Sequence, residues 1–394
     1  MYRDQCYPGG VRNNVFIDWW FETWVRSQQR GLSVRSNEDL LADFVDFPQV
    51  ARDHPHNDDF WKNNTPSMEN IKVPFYTVAN ICDHPISTHS HFRLMDEART
   101  PKDKQWLEII AGKHVPPMYE AENVRSQRRF LDYILKDADN GWNEVWGIIR
   151  TIQRVLYQFS ILGSTAKLLI EGIELSVTSL ATGVAQYHNE GDKMMFNTGF
   201  PYANYVKHLT LEEKRAGSAV SFVTAPFERA TLVAGQAIAK LFVSVNGATD
   251  TDIFLALRYL SKDGHEILFE GILDSPSLPV ATGCIRLSKR RVDDKISHGD
   301  LIYIDGSKVE PVEEGRIVET CLMLNPISVV IEKGGRLLLE ISSRSIENVF
   351  PYVKCDPNDR KMGGNVFIHT GGNHGSALTL PFQTMEVCGM AEGV

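Results

Sequence analysis

The chain has 394 residues, of which 43% are hydrophobic and 23% charged, a balance that supports a sizeable buried core and excludes bulk disorder. Its length leaves room for two or three domains. A formal net charge of -9 speaks against the basic stripe of a nucleic-acid binder. Six cysteines (Cys6, Cys82, Cys284, Cys321, Cys355, Cys388) are scattered without a Cys-x-x-Cys pair, so neither a zinc ribbon nor a disulfide framework is expected. Free thiols in a reducing compartment follow. The opening MYRDQCYPGG lacks the apolar centre of a signal peptide. Residues 155–184 are the most membrane-like stretch, but Lys167, Glu171 and Glu174 interrupt it, and charges are costly at a bilayer centre. A cytoplasmic protein without membrane or nucleic-acid partners is the expectation.

In chain order, NNVFIDWWFETWVRSQQRG carries Phe16, Trp19, Trp20, Phe21 and Trp24 at helical spacing before Gly31, which predicts a helix and its stop. SNEDLLADFVDFPQV offers a Ser/Asn cap and a second amphipathic helix. IKVPFYTVAN reads as a short buried strand, HFRLMDEA as a helix and KQWLEIIAG as a second buried strand. NVRSQRRFLDYILKDADNGW follows as a helix with Phe130, Leu131, Ile134 and Leu135 on one face. Strand, helix, strand, helix is the order of an α/β layered sheet. Residues 144–190 are apolar, low in turn residues and read as helix-like.

From about residue 196 helix signals nearly vanish. AIAKLFVSVNG, TDIFLALRYL, EILFEGIL, GCIRLSKRRV, RIVETCLMLN, SVVIEKGGRLLLEIS and NVFIHTGG are strand candidates separated by Gly, Asn, Asp and Pro, the density of a β-sandwich or jelly roll. SKDGHEI places Asp-Gly between apolar runs, a hairpin signal. Phe242, Phe254 and Phe269 are expected in the core.

Reactive groups of open α/β sheets sit in loops beyond the carboxyl ends of strands. Asp83 lies just past the first predicted strand and His114 just past the second, about thirty residues on. A carboxylate that accepts the imidazole N–H fixes its tautomer, and the imidazole can then take a proton from a nucleophile. The bland alternatives are that Asp83 caps the following helix and that His114 is an ordinary loop histidine. Metal is a third possibility, since His84, His89 and His91 crowd one segment and His54 and His56 another. However, His89 and His91 at i, i+2 share a face only on a strand, and their segment reads as helical. Asp250 and Asp252 are turn residues or calcium ligands, and calcium wants six or more oxygens. No cofactor is called for.

YRDQCYPGGVRNNVF, DFWKNNTPSMENIKVPFYTVANICD, KQWLEIIAGKHVPPMY and RRFLDYILKDADNGW resemble the CocE/NonD hydrolases, the cocaine-esterase-like and Xaa-Pro dipeptidyl-peptidase-like serine hydrolases. In the β-rich half, GSAVSFVTAPFERATLVAGQAIAKLFVSVNGATDTDIFLALRYLSKDGHEILFEG, CIRLSKRRVDD and GNVFIHTGGNHGSALTLP resemble the family's C-terminal jelly roll. The resemblance implies that Asp83 and His114 are the acid and base of a catalytic triad. It also implies that the tryptophan-rich helix begins a cap over the pocket; Trp19, Trp20 and Trp24 are read as cap core in preference to pocket lining. Two features depart from the family. No Gly-x-Ser-x-Gly elbow occurs in the sequence, and Ser164, Ser218 and Ser376, which follow glycines, lie in residues 144–190 or the β-rich half. After NGW, where the family has a Pro-led strand, the sequence runs apolar.

The resulting expectation is α/β plus all-β. Residues 1–143 form the C-terminal portion of an α/β-hydrolase domain, N-terminally truncated, with cap helices over about 8–70. A divergent apolar linker covers 144–190, and a galactose-binding-like jelly-roll β-sandwich covers 191–394. The expected function is hydrolysis of ester or Xaa-Pro dipeptide bonds in a small ester, amide or peptide substrate, lost from this chain with the nucleophile elbow. A non-catalytic binding or structural protein, or an incomplete gene model, is the rival. Self-association into a homo-oligomer stays open.

Overall fold

Both strands in the N-terminal part run parallel and carry one helix on each face, as their alternating side chains require. The computed structural model describes residues 2–26, 35–36, 38–39, 45–82, 88–110, 116–145, 152–162, 165–170, 183–188, 219–269, 278–299, 301–342, 359–361 and 363–383. The first helices are α1 (Val15–Arg26, π-type), α2 (Phe47–Asp53) and α3 (Asp59–Asn63). Asp46 caps α2 by accepting the Gln49 N–H at 3.0 Å, and Asp58 caps α3 by accepting the Phe60 N–H at 3.1 Å. Each cap satisfies a donor that the first helical turn leaves unpaired. These helices and the N-terminal segment share a core of Tyr2, Cys6, Tyr7, Ile17, Ala51 and Trp61.

Strand β1 (Phe75–Asn80) pairs in parallel with β2 (Gln105–Ile110), with α4 (Thr88–Glu97) between them in sequence and α5 (Ala121–Lys136) after. Tyr76 lies opposite Trp106, and both meet Phe130 of α5, at ring separations of 5.6 and 5.8 Å. Thr77, one residue on, faces the other way, as strand alternation demands. Its hydroxyl lies 2.5 Å from Nδ1 of His91 on α4.

The β-rich part comprises β3 (Ile152–Leu162), β4 (Thr165–Ile170), β5 (Gly183–His188), β6 (Ala219–Val223), β7 (Thr231–Gly235), β8 (Ile238–Asn246), β9 (Asp252–Leu260) and β10 (Glu266–Ile267). It continues with β11 (Ala281–Arg286), β12 (Val318–Met323), β13 (Ile327–Ile331), β14 (Arg336–Ser342), β15 (Asn365–Thr370) and β16 (Ala377–Gln383). Pairing is antiparallel apart from the β4–β6 contact. The strand path runs β10-β9-β14-β6-β4-β3-β16-β8-β15-β5. Ala239, Leu241, Val243 and Val245 of β8 are fully buried at every second position, and they join Leu255, Leu257, Leu339, Ile341 and Ile368 in one apolar core. The arrangement fits a β-sandwich.

Two expectations are corrected here. Within 144–190 the described residues 152–162, 165–170 and 183–188 are strands, not helix-like: β3 pairs with β16 from Ile152 to Gln158 and turns back to pair with β4. The period-2 run Val155, Tyr157, Phe159, Ile161 is the signal that outweighs low turn content. Of the three phenylalanines expected in the core, Phe254 is buried as expected, on the face of β9 beneath the Arg360 guanidinium at 4.3 Å. Phe242 and Phe269 are only half-buried.

The two parts meet along the N-terminal segment. Gly9 lies backbone to backbone on Cys284 of β11, whose thiol donates to the Pro8 carbonyl at 3.2 Å. The Lys289 ammonium donates to the Tyr2 hydroxyl at 2.8 Å and to the Pro55 carbonyl. Arg12 holds Asp18 at 2.5 Å and Asp359 at 3.1 Å. Among the described residues, no helix is long and apolar enough to cross a membrane.

Candidate functional site

Parallel pairing puts the carboxyl ends of β1 and β2 side by side. Asn80 is in register with Ile110, and the Ile81 N–H donates to the Ile110 carbonyl at 2.8 Å. The chain then leaves both strands from one sheet edge, where neighbouring strands lie about 4.8 Å apart. Asn80 secures the first exit: its side-chain oxygen accepts the Cys82 N–H at 3.0 Å and its carbonyl accepts the Thr88 hydroxyl at 2.9 Å. Asp83 follows Cys82 directly and His114 is four residues beyond Ile110. Both lie outside the described residues.

The β-rich part reaches this same edge. Leu278, 1% exposed, packs on Ile81 and Cys82, with Ile109 and Phe269 against them. Phe269 and Leu278 exchange backbone hydrogen bonds of 2.9 and 3.0 Å, which holds the pair rigidly over the strand ends. On the α5 face, burial first and Glu122 second push the Glu108 carboxyl up, and the Tyr76 hydroxyl donates to it.

Of the remaining candidates, His54, Asp250 and Asp252 have structural partners. Nδ1 of His54 lies 2.6 Å from the Asp58 carboxylate, and its ring stacks on Phe60 at 4.4 Å. Burial lowers the affinity of His91 and His56 for a proton, with Lys289 adding to the effect at His56. His84 lies outside the described residues, among which no group of three or more His, Cys, Asp or Glu side chains could hold a metal. Asp250 accepts the N–H and hydroxyl of Ser288 at 2.8 and 2.5 Å. Asp252, fully buried, is taken by Arg286 at 2.8 Å and Arg360 at 3.2 Å. These are structural bonds, and they engage the oxygens that a calcium reading would require.

Of the three serines singled out above, Ser376 is buried, donates to the His369 carbonyl at 2.7 Å and accepts the Phe242 N–H at 2.9 Å. Ser164 and Ser218 lie outside the described residues. Ser244, which sequence reasoning passed over, sits 2.8 Å from Nε2 of His369, yet it is 5% exposed and closed to a substrate. Trp20 corrects the cap-core expectation: it is 37% exposed while Ile17 and Phe21 are buried. The i→i+5 bonding of a π-type helix shifts the faces that a 3.6-residue period assigns. The side chains of Trp19 and Trp24 are outside the described set.

A cleft of about 690 Å³ opens at the other end of the strands, lined in part by Tyr2, Arg93, Asp96, Arg99, Lys295 and His298. Its charges are largely compensated, with Arg93 on Glu97 at 2.7 Å, Arg99 on Glu69 at 2.7 Å and His298 on Asp96 at 2.6 Å. It adjoins the amino end of β2, away from the exits that lead to Asp83 and His114.

The family described as the X-Pro dipeptidyl-peptidase C-terminal non-catalytic domain matches residues 163–379. No curated protein matches the chain. Among solved structures, a CocE/NonD family hydrolase from Staphylococcus aureus is similar over 97% of this chain and 66% of its own, at 20% identity and a TM-score of 0.74. An aminopeptidase from a marine sediment Thaumarchaeota archaeon is similar over 98% and 70%, at 14% identity and a TM-score of 0.60. An α-amino acid ester hydrolase is similar over 97% and 71%, at 14% identity and a TM-score of 0.61. The chain spans about two thirds of the length of these proteins. It belongs to the family of the X-Pro dipeptidyl-peptidase C-terminal domain, on the fold of the CocE/NonD hydrolases.

Proposed function

We propose that this chain carries the acid and the base of a serine-hydrolase-type site. They stand on the C-terminal portion of an α/β-hydrolase domain with helical cap, joined to a jelly-roll β-sandwich. His114 is the general base, and Asp83 accepts its other ring N–H, fixing the tautomer and stabilising the imidazolium. The bonds addressed are esters or Xaa-Pro dipeptide bonds. This choice draws on the family match and on the ester hydrolase and aminopeptidase that share the fold. The observation that carries the reading is the parallel register of Asn80 with Ile110, which starts the two loops from adjacent backbone positions. Leu278 supports it by closing the edge from the β-rich side.

No Gly-x-Ser-x-Gly elbow occurs in the 394 residues. A serine hydrolase without that elbow loses its covalent route and its largest electrostatic term, so on this reading the polypeptide by itself is expected to be inactive. The same missing elbow favours the second reading, a non-catalytic protein that keeps the fold for binding. The purified chain should neither turn over p-nitrophenyl acetate or Ala-Pro p-nitroanilide nor label with a fluorophosphonate. Turnover that His114→Ala abolishes would overturn the claim of inactivity. The pairing itself is checked by NMR: Asp83→Asn should move the His114 ring titration to lower pH, because a neighbouring carboxylate favours the charged imidazole. An unmoved titration sinks the pair and leaves the binding reading.

A further inference from the structure

Helix α4 ends on two carboxylates, Asp96 and Glu97, with no basic residue in its last turn. The carbonyls at the end of a helix carry partial negative charge, so this end favours a cation brought from elsewhere. The Lys102 ammonium donates to the Met95 carbonyl, and the β-rich part supplies His298, whose Nε2 lies 2.6 Å from Asp96 Oδ2. The backbone of His298 is braced in a hairpin over residues 293–303. It exchanges two 3.0 Å hydrogen bonds with Leu301, and the Ser297 N–H donates to the Asp293 carbonyl at 3.0 Å. The other ring nitrogen, Nδ1, lies 3.0 Å from the Ile296 carbonyl. A carbonyl oxygen only accepts, so Nδ1 carries a hydrogen; a carboxylate likewise only accepts, so Nε2 carries one too. A neutral imidazole has a single N–H and cannot serve both. The contact therefore fits the imidazolium.

We propose that His298 and Asp96 form a proton-dependent clasp across the cleft of about 690 Å³, joining the β-rich part to α4 while the ring is an imidazolium and releasing it when the ring is neutral. Lys295, Ile296 and His298 line the cleft from the β-rich side, and Arg93, Asp96 and Arg99 from the other. The surrounding charges leave Asp96 as the partner of the ring. Glu97 is bonded by Arg93 at 2.7 Å, Glu69 by Arg99 at 2.7 Å and Asp59 by Lys62 at 3.3 Å. On the hairpin, Asp293 accepts the Lys295 N–H at 3.2 Å; Asp294 and the Lys295 ammonium are its neighbouring charges, and Asp300 lies outside the described residues. The bond to Asp96 first and the Ile296 carbonyl second hold the His298 proton above the ordinary imidazole range. The clasp is thus complete below the ordinary value near 6.5 and is lost as pH rises through the raised one. The ring is 57% exposed, and exposed pairs are weak. The pair therefore sets how often this wall of the cleft opens, while packing such as Leu278 on Cys82 keeps the two parts together. The clasp does not depend on catalysis by Asp83 and His114.

The test uses the full 394-residue chain and two NMR readouts. The His298 ring is titrated in the unaltered chain and in Asp96→Asn, which should move the titration to lower pH. Amide protection factors of Ser297, His298 and Leu301, whose N–H groups bond within the hairpin, are measured at about pH 6 and about pH 8, the range in which a histidine changes charge. They are taken relative to those of β9. Protection should fall about two- to fivefold between the two, the size of an exposed ion pair, and that fall should be lost in His298→Gln, whose side chain does not titrate. Comparison with His298→Gln also removes any contribution from Lys289, which both proteins share. A titration that Asp96→Asn leaves in place overturns the proposal. So does hairpin protection that is flat with pH in the unaltered chain, or a pH dependence that persists undiminished in His298→Gln.

Discussion

Gly9→Ala tests whether the N-terminal segment and the β-rich part are built against one another. Gly9 has φ +58°, and a Cβ there would stand 1.8 Å from the Cys284 carbonyl oxygen and 2.6 Å from its carbon. An ordinary C···O approach is about 3.3 Å, so something must move by roughly 1.5 Å. Strand β11 is held by six register pairs to β9, and its Ile285 is fully buried. The yielding element is therefore the segment Tyr7–Gly10, which also carries the Tyr7 ring 5.7 Å below the Lys289 ammonium. The left-handed backbone costs an alanine about 1–2 kcal/mol, and forced displacement of a packed segment about 1–3 kcal/mol more. The sum is about 2–5 kcal/mol. Gly264→Ala is the control: φ there is +84° with nothing within 4 Å of the added carbon, so only the conformational part remains, about 1–2 kcal/mol. Urea melts of both variants measure the difference. Equal losses would show that the segment does not bear on β11 in solution and would refute the reasoning.

Arg258 is 4% exposed and is shared by Glu340 at 3.1 Å and Glu266 at 2.7 Å. Arg258→Met should cost about 3–5 kcal/mol by leaving buried Glu340 without its cation; a urea-melt loss below about 1 kcal/mol would contradict the buried network. Lys289 is 4% exposed, and burial draws its ammonium down to about 8. The unfolded chain, with an ordinary lysine near 10.4, then binds the extra proton between these values. Stability therefore rises with pH from about 8 to about 10.4, by at most about 3 kcal/mol. The neighbouring Tyr2 and Tyr7 rings favour the charged form and reduce that figure. Thermal melts at several pH values across the window should converge less steeply for Lys289→Met, which cannot titrate; parallel profiles for the two proteins would rule the effect out.

Much of the local structure was legible before any fold was known. The helices read at HFRLMDEA and NVRSQRRFLDYILKDADNGW are α4 and α5, because an amphipathic run is local information, whereas the caps Asp46 and Asp58 came from the structure. AIAKLFVSVNG was legible as a strand, but its buried face is Ala239, Leu241, Val243 and Val245 and not the face of Phe242. The candidate residues were named on local information, a loop after a strand. That is why Asp83 and His114 could be singled out, while the parallel alignment of their strands had to come from pairing. Residues 144–190 misled because low turn content was weighed above the alternation in 155–161. Trp20 misled because a π-type helix does not keep the assumed period.

Sequence by itself therefore determined the segments of β1, β2, α4, α5 and several strands of the β-rich part, and that two chemically suited residues follow two successive strands. Tertiary structure alone decided that Leu278 closes on Cys82, that Lys289 ends in a Tyr2–Tyr7 box, and that Asp252 meets both Arg286 and Arg360. The reason is one of range. Periodicity and capping act within a few residues along the chain, whereas these contacts join groups 34 to 287 positions apart, and only the pairing register and the packing of two layered parts bring such groups together.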